Sequence, residues 1–184
     1  MKTFNLFFRF TRVQPLRRFR IRMIGVITAF GIAASMLATA PVGFIVNQIL
    51  AKGTTFENIS EHVQMAKNLD GTVDPWQVQL QAQGATDTYA QHLVLAPGGY
   101  SGWHTHPGVL VATLAAGAVD FYDANCKKRS LTAGQVYFEN NDVHAIINRG
   151  SVSADLYIAY LIKHDAPRRI EAEAPVCALA AGIP

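Results

Sequence analysis

The chain has 184 residues, half of them hydrophobic, which is enough for one domain with a buried core and excludes an intrinsically disordered protein. Its formal net charge of +3 comes from the N-terminus, because residues 1–22 contain seven basic residues and no acidic one, whereas residues 23–184 contain nine basic and thirteen acidic residues. The body of the chain is therefore mildly acidic and gives no indication of nucleic-acid binding.

The basic leader, residues 1–22, precedes an uncharged and largely apolar segment, residues 23–46. This segment is long enough to cross a bilayer as a helix, and basic residues ahead of a span keep the N-terminus in the cytoplasm. It therefore predicts a transmembrane anchor. The alternative is the apolar region of a cleaved signal peptide with its cleavage site at residues 38–40, although Pro41 disfavours cleavage there. Both interpretations predict a membrane-anchored or secreted protein whose body is extracytoplasmic (periplasmic), with the membrane as a partner through the N-terminal helix.

Residues 47–74 are more polar and predict a linker, with a short helix near residues 56–67. From residue 76 onward, short runs with strand-like alternation are separated by Gly, Asn, Asp and Pro, and no helical period lies between them. The run at residues 76–83 alternates strictly and predicts a half-buried strand. The other predicted strands are residues 89–95, 109–114, 118–122, 135–138, 144–148 and 154–162. Short strands at this spacing predict an all-β sandwich or barrel.

Two histidines lie two residues apart in the glycine-flanked segment of residues 98–117. Side chains at i and i+2 on a strand point to the same face, so His104 and His106 can both contact one metal ion. Trp103 and Thr105 have the opposite parity and are expected to pack away from it.

The same segment resembles the first conserved motif of the cupin superfamily, G-x5-H-x-H-x3–4-E-x6-G, with Gly98, His104, His106 and Gly117 in the matching positions. The glutamate of that motif is missing, since residues 110 and 111 are leucine and valine. The resemblance therefore implies a metal site that is reduced to histidines.

The second cupin motif, G-x5-P-x-G-x2-H-x3-N, is matched more loosely, through Gly134, His144 and Asn148. The resemblance covers roughly residues 75–163. It predicts a cupin domain of residues 75–165, followed by a C-terminal tail of residues 166–184. It implies an all-β cupin double-stranded β-helix, a jelly-roll barrel preceded by the N-terminal hydrophobic helix. It also adds His144 as the third metal ligand and allows a homodimer paired through edge strands.

Three further residues are candidates for the pocket around the metal. The hydroxyl of Tyr100 has the parity of His104, Leu110 would make the cavity drier, and Asn148 would either hydrogen-bond near the site or hold a turn. Glu139, close to His144 in sequence, is a less favoured replacement for the missing glutamate. The remaining histidines are expected to be bystanders or surface residues: His62, His92 and His164.

Three neutral imidazoles suit a divalent transition metal (Fe, Zn, Mn, Ni or Cu) and leave open positions and an uncompensated positive charge for a small organic anion. Cupins with three-histidine iron sites include thiol dioxygenases, so the resemblance implies a small-molecule enzyme with oxygenase-like chemistry. A non-catalytic ligand-binding or sensing cupin at the cell envelope is the alternative, and a cupin that has lost its metal is a third interpretation.

The chain contains two cysteines, Cys126 and Cys177, and neither lies beside the histidines. In an exported protein such a pair predicts a disulfide, here one that would hold the C-terminal tail against the barrel. Two free buried thiols would be expected only if the body stayed in the cytoplasm.

Overall fold

The computed structural model describes residues 39–64, 67–68, 70–73 and 75–184. The predicted leader and residues 23–38 of the predicted membrane segment lie outside the described residues. Within the described ranges, no helix is long and apolar enough to cross a membrane.

Twelve strands and one short helix make up the described part of the chain. In chain order they are β1 (Val42–Thr55), β2 (Ile59–Gln64), β3 (Gln77–Ala82), β4 (Thr86–Tyr100), β5 (His104–Thr105), β6 (Gly108–Ala116), β7 (Ala118–Asp123), β8 (Lys128–Thr132), β9 (Val136–Glu139), β10 (His144–Ile147), β11 (Ala154–Lys163), β12 (Ile170–Glu171) and α1 (Cys177–Ala180). All the strands predicted from residue 76 onward are present.

Ten of the twelve described strands form two antiparallel layers that meet at one corner. The first layer runs β1-β4-β11-β6-β9, and the second runs β8-β7-β10 and continues through β5 to β12. The layers join where Ile147 of β10 pairs with Tyr100 at the end of β4. This arrangement confirms the predicted all-β barrel.

The barrel interior is filled by alternating apolar side chains, because successive residues on a strand face opposite sides. On β6 the inward set is Leu110, Ala112 and Leu114, and on β11 it includes Leu156 and Ile158. These side chains form one buried cluster and leave a polar space at the end of the barrel where β5, β9 and β10 approach one another.

The prediction for residues 42–64 was wrong in its secondary structure. Residues 42–46 begin β1 instead of ending a membrane helix, and residues 47–55 continue β1 instead of forming a linker. The helix expected near residues 56–67 is replaced by β2, which pairs with β3. The physical reason for β1 is β4, whose backbone groups between residues 86 and 100 need a second hydrogen-bonding neighbour besides β11.

The strand predicted at residues 76–83 is present as β3, but it is not half-buried. Its side chains are exposed except for the partly buried Ala82, because β2 and β3 form a separate two-stranded sheet. The alternation in the sequence therefore predicts the strand correctly and its burial wrongly.

The two sulfur atoms of Cys126 and Cys177 are bonded in the structure, which supports the predicted disulfide. Residues 166–184 pack against the barrel through β12, which pairs with β5, and through a backbone hydrogen bond of 3.0 Å from the Ala172 N–H to the Trp103 carbonyl. The segment expected to be a tail is therefore part of the wall around β5.

Candidate metal centre

Strand register brings the three predicted histidines together at the polar end of the barrel. His104 on β5 is the cross-strand partner of His144 on β10, and His106 follows β5 by one residue. The ring centroids lie 4.3 Å apart for His104 and His144, 4.9 Å for His104 and His106, and 5.2 Å for His106 and His144. All three side chains are buried. Trp103, of opposite parity, packs in a separate cluster with Tyr100, as predicted.

A fourth side chain, Glu139 at the end of β9, joins the histidines. Its Oε2 atom lies 3.1 Å from Nε2 of His106 and 3.3 Å from Nε2 of His144. One ligand atom from each of the four side chains lies within 4.8 Å of the others. The geometry thus places Glu139, the less favoured replacement for the missing glutamate, beside the three predicted histidines.

The position of Glu139 follows from the pairing of β6 with β9. Leu110, where the first cupin motif would have its glutamate, is the cross-strand partner of Glu139. Directly opposed residues of an antiparallel pair point to the same face, so the two side chains share the inner surface of the barrel. The carboxylate that is missing from one strand is thus supplied by its neighbour.

Each imidazole is oriented by a backbone carbonyl. Nδ1 lies 2.9 Å from the Gly102 oxygen in His104, 2.5 Å from the Arg168 oxygen in His106, and 2.8 Å from the Asp142 oxygen in His144. A carbonyl can only accept, so Nδ1 carries the hydrogen and Nε2 carries the lone pair in each neutral ring. This tautomer and this orientation are those of metal-binding histidines.

The electrostatics of the cluster call for a cation at its centre. The buried Nε2 atoms of His106 and His144 have no hydrogen-bond partner, although the carboxylate of Glu139 lies beside both. A lone pair on Nε2 facing a carboxylate oxygen is repulsive unless a proton or a metal ion lies between them. A divalent transition metal satisfies this requirement with ligands that such metals prefer, and so the residues present fit the metal that the resemblance implies.

The pKa values of the group are shifted in the directions that this geometry dictates. Burial, and then the neighbouring His144, lower the pKa of His104 to about 2. Burial would also lower the pKa of His144, but the Glu139 carboxylate outweighs burial and raises it. Burial would raise the pKa of Glu139, but His106 and His144 outweigh it and hold the pKa well below its usual range. Glu139 is therefore ionised and His104 neutral, as metal ligation requires.

Of the three predicted pocket residues, only Leu110 faces the interior beside the cluster. Tyr100 does not reach the pocket, since its hydroxyl bonds to Thr39 Oγ1 at 3.0 Å and to the Pro184 carbonyl at 2.7 Å. The glycines that follow Tyr100 and precede it break the alternation on which its expected direction depended. Asn148 holds a turn, donating from Nδ2 to the carbonyls of Leu95 and Val152 at 2.9 and 2.8 Å.

The other histidines take no part in the cluster. His92 pairs with Asp155 on the neighbouring strand at 2.8 Å, and the partly exposed His164 lies 2.8 Å from Asp87. His62, expected on a helix, is exposed on β2 and lies 3.5 Å from the side-chain oxygen of Gln77. These positions agree with their prediction as bystanders.

A cavity of about 100 Å³ adjoins the cluster, and several of its polar residues were missed by the sequence analysis. Gln91 and Tyr160 reach it from β4 and β11, and Arg168 reaches it from the segment between β11 and β12. Tyr160 lies two residues after the inward-facing Ile158, so the alternation along β11 predicts that Tyr160 also faces the interior. Arg168 has no such signal, because its position depends on how the chain returns after β11.

No protein-family model and no curated protein sequence matches the chain. Solved structures do match it. One is an uncharacterized conserved protein with a double-stranded β-helix domain from Klebsiella pneumoniae, at 18% identity, covering 64% of this chain and 85% of that one, with a TM-score of 0.41. Another is an RmlC-like cupin from Shewanella frigidimarina, at 16% identity, covering 42% of this chain and 68% of that one, with a TM-score of 0.37.

A third match is oxalate oxidase in complex with the substrate analogue glycolate, at 20% identity and a TM-score of 0.36. The match covers 39% of this chain and 40% of that one, so this chain spans about two fifths of the length of that protein. Cupin-domain proteins are thus among the solved structures to which this chain is similar. The roles of the residues rest on the geometry of the chain itself.

Proposed function

We propose that this protein binds one divalent transition metal through Nε2 of His104, His106 and His144 and the carboxylate of Glu139. The observation that carries the proposal is the convergence of these four buried ligand atoms, with two Nε2 atoms that lack any hydrogen-bond partner. Imidazole and carboxylate ligands favour iron, manganese, nickel, copper or zinc, and the all-oxygen sites of calcium and magnesium differ from this set.

One carboxylate changes the charge expected for the centre. Three neutral histidines would leave a divalent ion with its full charge, whereas Glu139 reduces the net charge of the centre to +1. Such a centre still attracts an anion, and when bound the metal would act as a Lewis acid toward a guest in the adjoining cavity. Leu110 and the apolar residues around it exclude water from one side, which strengthens electrostatic interactions in the cavity.

The proposed activity is that of a small-molecule enzyme acting on a small organic anion, and oxygen-dependent oxidation is the reaction to test first. In this proposal the backbone carbonyls of Gly102, Arg168 and Asp142 keep the three rings in place, so that the ligand geometry is formed before the guest enters. The buried position of the cluster restricts the reaction to molecules that fit the cavity.

A second candidate function is ligand binding or sensing without turnover. It is favoured by the poor acidity of the cavity's tyrosine hydroxyl, since burial, and then the charge of Glu139, raise the pKa of Tyr160 to about 12. An enzyme should turn over with the correct metal and lose turnover on His104→Ala. A binding protein should gain thermal stability from the same ligand without any product.

The metal is tested by elemental analysis of the full chain, purified without a histidine tag and in detergent if it partitions with membranes. We expect close to one equivalent of a single transition metal, and loss of that metal in the His104→Ala variant. Protein that retains no metal above background, even after reloading with each candidate ion, would contradict the proposal.

We further propose that the barrel is exported. The disulfide supports an oxidising compartment. Because Thr39 hydrogen-bonds to Tyr100 and to the Trp103 N–H of the barrel, the apolar segment left for a membrane anchor or a signal peptide is residues 23–38. Protease added to intact spheroplasts that produce the full chain should digest the barrel, and protection equal to that of a cytoplasmic marker would contradict export.

A further inference from the structure

Arg168 is a cation in the wall of the metal cavity. Its side chain is partly buried and lies against two aromatic rings, with the guanidinium carbon 5.6 Å from the centroid of Tyr89 and 5.7 Å from that of Tyr160. Nη1 donates a hydrogen bond of 3.1 Å to Oε1 of Gln91. In the part of the chain that the structure describes, Arg168 has no carboxylate partner.

A chain of hydrogen bonds keeps this guanidinium in place. The hydroxyl of Tyr160 also donates to Oε1 of Gln91, and Nε2 of Gln91 donates to Oδ1 of Asn47 at 2.5 Å. Gln91 and Tyr160 are both buried, so these side chains have little freedom to move. One bond holds one N–H of Arg168, and the guanidinium has five, so donors remain for a guest.

The other charges of the cavity wall are already neutralised. Arg169 forms a two-point ion pair with Glu171, in which Nη2 lies 2.7 Å from Oε2. Glu139 faces the histidines and would be a metal ligand. Arg168 is therefore the charged group of the described cavity wall that a ligand would have to neutralise.

Arg168 is also tied to the metal centre through its backbone. The carbonyl of Arg168 accepts the hydrogen bond from Nδ1 of His106, while its side chain lines the cavity that His106 also lines. One residue therefore holds His106 through its backbone and places its guanidinium beside the same cavity. A guest bound by the guanidinium would have its other end close to the ion.

The size of the cavity limits the guest. Its volume is about 100 Å³, smaller than the roughly 150 Å³ of an engineered protein cavity that binds benzene. A guanidinium matches the planar, two-oxygen geometry of a carboxylate. Resting on the function proposed above, we propose that Arg168 binds the carboxylate of a small organic acid with a few non-hydrogen atoms, whose other end faces the metal ligands.

The proposal is tested by thermal unfolding and calorimetric titration of the full, metal-loaded chain with a series of acids, each compared with its neutral amide: acetate, propionate, glycolate and lactate. We expect at least one carboxylate to bind and its amide to bind at least about tenfold more weakly. Arg168→Gln should weaken carboxylate binding by a similar factor and keep the metal content, because the backbone carbonyl that holds His106 is retained. Arg168→Lys, which keeps the charge and loses the fork, should bind at an intermediate level.

Arg129 provides the matched control, since it lines a different depression, which reaches the cluster from the side of Glu139 and His144. Arg129→Gln should leave carboxylate binding unchanged. Equal affinity for acid and amide in every pair, unchanged binding in Arg168→Gln, or loss of binding in Arg129→Gln would overturn the proposal. If Arg168→Gln unfolds, the wild-type comparison of acids with amides and the Arg168→Lys variant still decide the question. A failure of the metal proposal is recognised separately by elemental analysis, and the same titrations on that metal-free protein still test Arg168.

Discussion

Among single residues, Glu139 is a proposed metal ligand that lies on a different strand from the glutamate of the first cupin motif but faces the same side of the barrel. The first cupin motif has its glutamate on the strand that follows the second histidine, and here that position is Leu110. The facing residue on β9 is the acid, so a carboxylate still enters the same side of the barrel. The exchange is possible because cross-strand partners have Cβ atoms only about 5 Å apart.

We predict that exchanging the two residues preserves the site. Glu139→Leu alone should lower metal affinity by more than about tenfold, the smaller end of the range for losing even an outer partner of a ligand. The double variant Leu110→Glu/Glu139→Leu should recover most of that loss, because it returns a carboxylate to the inner surface. Competition with a chromophoric chelator measures both affinities.

Glu173→Gln serves as the control for this exchange, since it removes an exposed carboxylate of the C-terminal segment. It should leave metal affinity unchanged. A double variant as weak as Glu139→Leu, with the same unfolding temperature as the wild type, would show that the two positions are not equivalent.

Asp87, the second residue of β4, is another residue whose charge contributes to stability. Its buried carboxylate accepts a hydrogen bond of 2.6 Å from Thr54 and lies 2.8 Å from Nδ1 of His164 and 3.3 Å from Nζ of Lys52. The hydrogen bond from Thr54, followed by the contact with His164, holds the pKa of Asp87 well below its usual range. Thr54 and Lys52 belong to β1, so their contacts with this carboxylate connect β1 to β4.

We predict that this stabilisation depends on pH. Because the pKa is lower in the folded than in the unfolded chain, the stabilisation is fully present above the unfolded value of about 4 and is lost as the pH falls through the folded value. Asp87→Asn should therefore unfold at a lower temperature than the wild type at pH 7, and the difference should narrow below about pH 4. Glu61→Gln, at an exposed position on β2, is the control and should show neither effect; a constant difference for Asp87→Asn at all pH values would contradict the argument.

Among the elements, β5 is the one that most depends on its neighbours. It is two residues long and pairs with β10 on one side and β12 on the other. Such a short strand has few hydrogen bonds of its own, so the direction of His104 depends on the segment that carries β12. That segment continues to α1 and to the disulfide at Cys177.

We predict that removing the disulfide with Cys126→Ser/Cys177→Ser destabilises the protein and weakens metal binding. The bridge joins positions 51 residues apart, for which the chain-entropy description gives about 4 kcal/mol of stabilisation. Urea unfolding measures the loss of free energy. Metal affinity should fall as well, because a loosened C-terminal segment no longer holds the Arg168 carbonyl against His106.

Reduction of the wild-type protein should reproduce the behaviour of the double variant, and a reductant added to the variant itself should have no further effect. Unchanged metal affinity together with a lowered free energy of unfolding would show that β12 stays on β5 without the bridge.

A strand can be predicted from the sequence where one of its faces packs on the core and the other faces solvent. Residues 154–162 alternate because one face of β11 meets the core, so the strand is visible in the pattern. β1 was missed because residues 42–46 continue the apolar run that looks like a membrane helix, and because residues 47–55 are of mixed polarity and resemble a linker. Its partner is β4, about 40 positions away, and a single sequence does not encode that pairing in any local pattern.

The same difference between local patterns and strand pairing explains which residues of the site could be predicted from the sequence. His104 and His106 are predicted by parity, and His144 by the spacing of a motif. Glu139 and Arg168 depend on which strands lie side by side, which is a property of the folded chain. Tyr100 was assigned to the pocket wrongly for the opposite reason, since local alternation fails where glycines interrupt the strand.

Across the whole molecule, the four proposed ligands come from both layers of the barrel. Glu139 lies on β9 of the first layer, while His104 and His144 lie on β5 and β10 of the second. A metal bound there would connect the two layers at the end of the barrel where β5, β9 and β10 approach one another. It would also neutralise the Glu139 carboxylate, which lies 3.1 Å from Nε2 of His106.

Removing the metal should therefore destabilise the entire barrel and not only the site. At a free metal concentration 100 times the dissociation constant, binding stabilises the folded state by about 2.7 kcal/mol. For a domain of this size that corresponds to roughly 5–10 °C in the unfolding temperature. Thermal unfolding monitored by circular dichroism, before and after chelation and again after reloading, measures the shift. Glu139→Leu, which lacks the ligand from the first layer, should show a much smaller shift, because the ion would then connect only residues on or beside strands of the second layer. A shift of equal size in that variant would mean that the metal does not join the two layers.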